Sequence, residues 1–340
     1  MADLRLAVLG TGWWSTFQIP AWLEVGGVQL VALYNRTRSK AEQAAAQYNV
    51  PHVYDDAEEL FRREQPDVVD IIAGTDAHAP LVYLAARYGV PVICQKPMAG
   101  DYATCERMVQ TCRAAGVPLM IHENMRWQTP IRELQRILAE GRIGRPFRAR
   151  LQTIGYSPSE YIEQPFLKEL DRLILTDMGS HVLDVARFLF GEPHSLYCQH
   201  CRTRDDIRGE DVATVMLRCD EVICTCEMSS ATRTEWGHYP DLFVFVEGTR
   251  GSVELAPDYW LRVTTDDGTW ARRYEPPFYP WARADQPHWH ASMVPCITNM
   301  LQAIRTGQQA ETSGEDNLKT MRLVYGAYES AEQNKVLALE

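Results

Sequence analysis

No run of apolar residues in this 340-residue sequence approaches the roughly 20 that a membrane-spanning helix needs, so no membrane partner is expected. Positive charge is scarce: 34 Lys and Arg stand against 45 Asp and Glu, a net charge of -11, the wrong sign for a surface that tracks phosphates. Nucleic acid is therefore not an expected partner. The opening Met1-Ala2-Asp3-Leu4-Arg5 lacks the basic region, apolar core and cleavage site of a secretory leader, which favours a cytoplasmic protein. The nine cysteines are odd in number and scattered from Cys94 to Cys296, a pattern of reduced thiols rather than of a disulfide framework. Cys198-Gln199-His200-Cys201 has metal-ligand chemistry, but no second Cys or His pair follows at finger-like spacing, so no metal is expected. Cys224-Thr225-Cys226 places two small side chains on one face of a strand. There is no internal repeat and no low-complexity linker.

What is present is ordinary globular material. With 46% hydrophobic, 10% aromatic and 23% charged residues, the chain has enough apolar side chains for two cores, and its length suits about two domains. Apolar strands are expected at Leu4 to Leu9, Val28 to Tyr34, Asp67 to Ala73, Pro91 to Cys94 and Val117 to Ile121. Helix-prone stretches separate them, at Ser39 to Tyr48, Pro80 to Tyr88 and from Gly100 to Ala115. Near-continuous apolar strands alternating with helices predict a doubly wound parallel sheet covered on both faces. From about Arg148 the texture changes to successive strands joined by turns such as Glu247-Gly248-Thr249-Arg250-Gly251, the pattern of a mostly antiparallel open sheet with flanking helices. The change of pattern divides the chain into residues 1–122 and 123–340. An open sheet with a wide apolar face favours a homodimer or homotetramer.

Gly10-Thr11-Gly12-Trp13-Trp14-Ser15 follows the first strand and fits a dinucleotide-binding turn except at its last position, where Ser15 replaces a third glycine. The first glycine permits the tight turn, the second lets the backbone approach a pyrophosphate, and the helix start offers N–H groups to the anion. The second strand ends in Tyr34-Asn35-Arg36 with no carboxylate for a ribose 2'-hydroxyl, and Arg38 and Lys40 follow. A 2'-phosphate would suit these cations, so NADP is the expected cofactor, with NAD as the alternative. Thr75, His78 and Gln95 complete the candidate cofactor set.

Two further segments carry acid-base chemistry. Cys94-Gln95-Lys96-Pro97 follows the strand from Pro91, and Asp177-Met178-Gly179-Ser180-His181 opens a helix on which Asp177, His181 and Asp184 form one polar stripe able to face a cleft. Taken singly, Asp177 could be an N-cap and Asp184 a structural partner. His122, Glu123, Asn124, Arg126 and Trp127 lie just beyond the strand from Val117 to Ile121, where a parallel sheet places ligands, and their mixture of donors, acceptors and an aromatic plane suits a polyol. Packing between domains is the other reading of Trp127. Tyr156, Arg172, Trp281 and His288 are further candidates, while Trp260 and Phe278-Tyr279-Pro280-Trp281 suit a core or an oligomer interface.

These motifs together resemble the Gfo/Idh/MocA oxidoreductases over essentially the whole chain. Within that family, Ile93 to Pro97, His122 to Trp127, Arg208 to Thr214 and Thr312 to Thr320 are similar to segments of the D-apiose dehydrogenases. The resemblance implies that Lys96, Asp177 and His181 are the catalytic lysine, aspartate and histidine, with Lys96, Glu123, Asn124, Arg126, Trp127, Tyr156, Asp177 and His181 around the substrate. Gln95 departs from the family's commoner Glu, and Asn35-Arg36 departs from the acid of the apiose enzymes. The implied reaction is hydride transfer from the anomeric or a ring carbinol carbon of an aldose to nicotinamide. A cyclitol or other polyol dehydrogenase, or an NADP-binding sensor without turnover, is the alternative.

Overall fold

The computed structural model describes residues 2–156, 161, 163–235, 241–284 and 286–339. The chain forms two compact units. The first comprises Met1–Glu123, Tyr279–Arg283 and Met293–Met321, and the second Asn124–Phe278, Ala284–Ser292 and Arg322–Glu340.

In the first unit β1 (Leu4–Leu9), β2 (Val28–Tyr34), β3 (His52–Tyr54), β4 (Val68–Ile71), β5 (Val92–Gln95) and β6 (Leu119–His122) alternate with α1 (Ser15–Val25), α2 (Arg38–Tyr48), α3 (Ala57–Glu64), α4 (Thr75–Arg87) and α5 (Tyr102–Ala114). The sheet order is β3-β2-β1-β4-β5-β6 and every pairing is parallel. Every residue of β4, β5 and β6 is buried, as a sheet covered on both faces requires. The short β3 and α3 had no strong sequence signal. Asp56 makes α3 start where it does, accepting from the N–H groups of Glu58 and Glu59 at 2.8 and 3.2 Å.

The second unit opens with α6 (Thr129–Ala139) and β7 (Pro146–Ile154), continues through α7 (Ile174–Asp177) and α8 (Gly179–Phe190), and then runs β8 (Ser195–Cys201), β9 (Val212–Cys219), β10 (Val222–Ser229), β11 (Phe243–Gly248), β12 (Gly251–Ala256), β13 (Trp260–Thr265) and β14 (Gly268–Arg273). Helices α9 (Pro287–Ala291), α10 (Met293–Thr306) and α11 (Gly314–Gln333) and the short β15 (Leu337–Ala338) end the chain. The nine strands are ordered β14-β13-β12-β11-β7-β10-β9-β8-β15, and only β7 and β10 pair in parallel. Burial alternates strictly along β9 and β13, so one face is core and the other open. Helices α6 and α8 pack on the buried face. Met216, Ile223, Phe245 and Trp260 remain exposed elsewhere on the sheet.

The compact units are discontinuous in sequence, since Tyr279–Arg283 and Met293–Met321 join the first. Helix α10 belongs with the first unit, where it packs against α1, and Arg305 donates to the carbonyl of Gly27 at 2.8 Å. Its buried stripe of Met293, Ile297, Met300 and Leu301 has the same period whichever core it joins, so local pattern cannot assign it. Among the described residues no helix is long and apolar enough to cross a membrane.

Candidate active site

The turn after β1 is shaped for a close backbone approach on both sides. Gly10 has φ +118°, and a Cβ there would lie 2.2 Å from the Ile72 carbonyl oxygen, so the crossing of β1 and β4 demands glycine. At Gly12 a Cβ would meet nothing within 4 Å: this face of the turn is open. Ser15 is buried and donates to the Gly12 carbonyl at 2.6 Å, tightening the turn where a third glycine is missing. Among the described residues no side chain caps α1; its first N–H groups, those of Ser15, Thr16 and Phe17, donate at 3.1 Å to the carbonyls of Gly12, Trp13 and Trp14, and the rings of Trp13 and Trp14 pack with Phe17. The open face at Gly12 leaves room for the close approach of a pyrophosphate.

At the end of β2 the Asn35 amide donates to Thr11 Oγ1 at 2.8 Å and accepts from the Thr37 N–H at 2.9 Å, so the residue after the strand is tied directly to the glycine turn. Arg36 is exposed and lies 3.5 Å from Asp76 in the first turn of α4, beside Thr75. Arg38 is engaged with Glu42 at 3.0 Å and Asp55 at 3.5 Å. Arg36 and Arg38 therefore sit among carboxylates.

Beneath Lys96 lies a buried polar chain. Gln95 Oε1 accepts from the Lys96 N–H at 3.1 Å, and its Nε2 stands 2.5 Å from Gln18 Oε1 and 3.3 Å from His122 Nδ1. Gln18 Nε2 and Trp22 Nε1 each donate to Asp70 Oδ2 at 2.7 Å. Asp70 is wholly buried in β4, and desolvation lifts its carboxyl to about 7 against the lowering effect of its bonds from Trp22 and Gln18. His78 is also buried. Its Nδ1 faces the carbonyls of Pro97 at 3.0 Å and Met98 at 3.3 Å and its Nε2 that of Ala73 at 3.1 Å, while burial lowers its pKa. A neutral imidazole carries a single N–H, so His78 donates to one side only, either to the segment after Lys96 or to the turn after β4, and its ring packs between the two.

The raised Asp70 pKa has a consequence for stability. A carboxyl whose folded pKa lies above its unfolded value contributes stability below the unfolded pKa and loses it as pH rises through the folded one, here from about 4 to about 7. Asp70→Asn, which stays neutral, should gain on the wild type as pH rises from 5 to 8, by on the order of a few kcal/mol. Urea unfolding of both proteins at the two pH values checks this, and a constant difference would contradict it.

In the second unit Asp177 ends α7 and Gly179 begins α8, with the helical Met178 between them. Asp177 is therefore not the N-cap of the helix bearing His181; Met178 is, without a side-chain bond. The turn is held from below by Glu210, whose carboxylate accepts from the N–H groups of Leu173 at 3.2 Å and Leu175 at 3.1 Å and from the Tyr328 hydroxyl at 2.6 Å. Sequence reading missed Glu210, although its place in Arg208-Gly209-Glu210-Asp211 was noted; the signal would have been a carboxylate opposite an uncapped helix start. The His181 ring is 2% exposed and meets Trp289 edge-on at 4.8 Å.

The polar stripe does not stay open along α8. Asp184 is fully buried and receives Arg126 Nε at 2.7 Å and Nη2 at 2.5 Å, with Arg187 at 3.9 Å. Arg126 is thus committed to a buried bidentate pair, and Asn124 donates to the Trp289 carbonyl at 3.0 Å and Ser292 Oγ at 2.8 Å. Both support the helix and the Trp289 ring rather than offering free donors. Glu123 is wholly buried, its carbonyl approached by Cys296 Sγ at 3.8 Å. Trp127 is half-buried under the Arg132 guanidinium at 4.5 Å, and Tyr156 is exposed beneath that of Arg233 at 4.2 Å. His288 stands 3.0 Å from Asp241 and 3.2 Å from the Tyr259 hydroxyl, a grouping assembled from three separated segments. Trp281 stacks on Tyr279, and Arg172 lies over Tyr328.

A parallel sheet in this order, with a glycine turn and an uncapped helix at its first strand, defines a dinucleotide-binding protein of the Rossmann class. Residues 4–123 match the model of the oxidoreductase family with an NAD-binding Rossmann fold, and residues 131–254 that of the GFO/IDH/MocA C-terminal domain. The chain belongs to the Gfo/Idh/MocA family and is an oxidoreductase. It is 37% identical over 335 residues to a D-apiose dehydrogenase of Paraburkholderia graminis, spanning 98% of this chain and 89% of the relative. A D-apiose dehydrogenase of Rhizobium rhizogenes is 35% identical over 339 residues, 99% and 98% of the two chains. A solved oxidoreductase from Agrobacterium radiobacter, in complex with NAD+, L-tartaric acid and magnesium, superposes with a TM-score of 0.96 at 34% identity, covering 99% and 98%.

Proposed function

We propose that this enzyme is an NAD(P)-dependent aldose dehydrogenase that oxidises D-apiose, or a sugar of similar build, at its anomeric carbon to a lactone. The observation that carries this reading is the 37% identity to a D-apiose dehydrogenase over 98% of the chain. The bound nicotinamide would supply the hydride acceptor. The backbone of Gly10, Thr11, Gly12, Trp13 and Trp14 would hold its pyrophosphate, with Thr75 and Gln95 beside it. The hydroxyl proton of the sugar would leave to the imidazole of His181, a type of group that exchanges protons near neutral pH. Asp177, one turn earlier, steadies the imidazolium, and Lys96 donates to the oxygen as negative charge develops on it. Arg126 and Asn124 act as supports of the His181 helix and its Trp289 neighbour.

The cofactor reading is NADP, with NAD accepted. Asn35 stands where a carboxylate would select the 2'-hydroxyl, and Arg36 would exchange Asp76 for a 2'-phosphate. We also assign self-association, as a homodimer or homotetramer, to the second sheet, where Met216, Ile223, Phe245 and Trp260 are exposed, and activity to a reducing cytoplasm, where all nine cysteines stay free.

The test is a fluorescence screen of aldoses, ketoses and cyclitols against both cofactors, with wild type and Arg36→Ala. D-apiose should give the highest kcat/KM. Arg36→Ala should weaken NADP by about 10-fold or more while leaving NAD within about 2-fold. Turnover confined to cyclitols, or with no sugar at all, would overturn the substrate; equal losses of the two cofactors would overturn the 2'-phosphate contact.

A further inference from the structure

The chain from Asp70 to Lys96 has a direction, and its buried end sets it. An indole N–H only donates and an ionised carboxylate only accepts. With Trp22 Nε1 and Gln18 both at Asp70 Oδ2, 2.7 Å each, Gln18 must turn its amide nitrogen toward the carboxylate and its oxygen toward Gln95. Gln95 must then present nitrogen to Gln18 at 2.5 Å and to His122 Nδ1 at 3.3 Å, which leaves its oxygen for the Lys96 N–H at 3.1 Å. His122, accepting at Nδ1, carries its proton on Nε2. Reverse either amide and donors would meet donors. Asp70 and Gln18 are wholly buried, Trp22 is 1% exposed and Gln95 6%, so no solvent exchange relaxes the order.

A lone carboxylate in a strand whose residues are all buried is expensive to keep, and no Lys or Arg bond to it is seen among the described residues, so its retention calls for a reason beyond packing. We infer that Asp70 is a positioning residue: through Gln18 and Gln95 it fixes the amide orientation that holds the Lys96 backbone and the tautomer of His122. This rests on the reading that Lys96 takes part in the reaction. The desolvated, upward-shifted carboxyl fits a group kept for its acceptor geometry, since protonation at the other oxygen leaves Oδ2 accepting.

The substitutions separate charge from direction. Asp70→Asn keeps an oxygen for Trp22 and Gln18 and loses only the charge; Asp70→Leu and the nearly isosteric Gln18→Met remove the anchor itself. Each is prepared as the full chain labelled with 15N-histidine, and its ring signals are recorded at pH 8, His122 being assigned from a His122→Gln spectrum. Wild type and Asp70→Asn should show His122 as the Nε2–H tautomer, with kcat within about 3-fold of each other. Asp70→Leu and Gln18→Met should show mixed tautomers and lose about 100-fold in kcat, with KM for cofactor and sugar changed less than about 3-fold. If Asp70→Leu does not fold, Gln18→Met carries the test. A loss in Asp70→Asn equal to that in the anchor-deleting variant overturns the inference, as does an unchanged His122 spectrum in Gln18→Met. Because the spectrum is independent of turnover, a wrong role for Lys96 shows separately, as full activity in Lys96→Met beside an altered His122 ring in Gln18→Met.

Discussion

His181→Ala should lower kcat by about 1,000-fold while the dissociation constant of the cofactor stays within about 3-fold. Removal of the hydroxyl proton and departure of hydride are coupled, and without a positioned base the alkoxide must form against water alone. The ring is 2% exposed and held edge-on by Trp289, so an imidazole supplied in solution has little access, and rescue by added imidazole should be weak. Lys96→Met, which keeps the length and apolar stem, should show a loss of similar size, since the cation meets charge that develops only in the transition state. The binding arm of the measurement matters most. Titrating cofactor fluorescence in both variants separates lost chemistry from lost binding, and full turnover in either would remove that residue from the mechanism.

The largest effect on stability is expected at Arg126. Its guanidinium and the Asp184 carboxylate are both nearly inaccessible, so Arg126→Met takes the bidentate partner from a buried carboxylate, and Arg187 stands 3.9 Å away and is bonded to Glu192 at 2.7 Å. The loss should be about 3 kcal/mol, the range for breaking a buried pair by removing one partner. Arg126→Met combined with Asp184→Leu should recover most of it, because two apolar side chains replace the desolvated charges together. Urea denaturation of the single and double variants gives both values. The double variant also separates roles: restored stability with poor turnover would mean that the pair sets the pose of the His181 helix as well as its stability.

Much of the first unit was legible because its determinants are local. A buried parallel strand needs a run of apolar residues whatever its neighbours are, and Gly10 is required by the backbone of one turn. The antiparallel strands of the second unit were legible for the matching reason, their strict alternation. The parts that were not legible have weak or ambiguous local signals. In β14 the sequence Gly268-Thr-Trp-Ala-Arg-Arg273 buries no residue completely; it is a strand because its backbone pairs with β13 at the sheet edge, which side-chain pattern does not report. Helix α10 shows its apolar stripe but not which core receives it.

The candidate site divides the same way. The sequence by itself determined the glycine turn and the absence of an acid after β2, since each follows from residue type at a fixed place along one element; the roles proposed for Lys96, Asp177 and His181 rest on the resemblance to the family. Only the tertiary structure decided what the other polar residues do. Arg126 meets Asp184 58 positions away, Glu210 reaches the start of α7, and Gln18 meets Asp70 52 positions away and Gln95 77 positions away. Whether a buried polar side chain is a ligand, a clamp or a link depends on which donor or acceptor faces it, and that partner is set by the packing of distant segments. A sequence lists the groups able to hydrogen-bond; burial decides that each must, and the fold decides with whom.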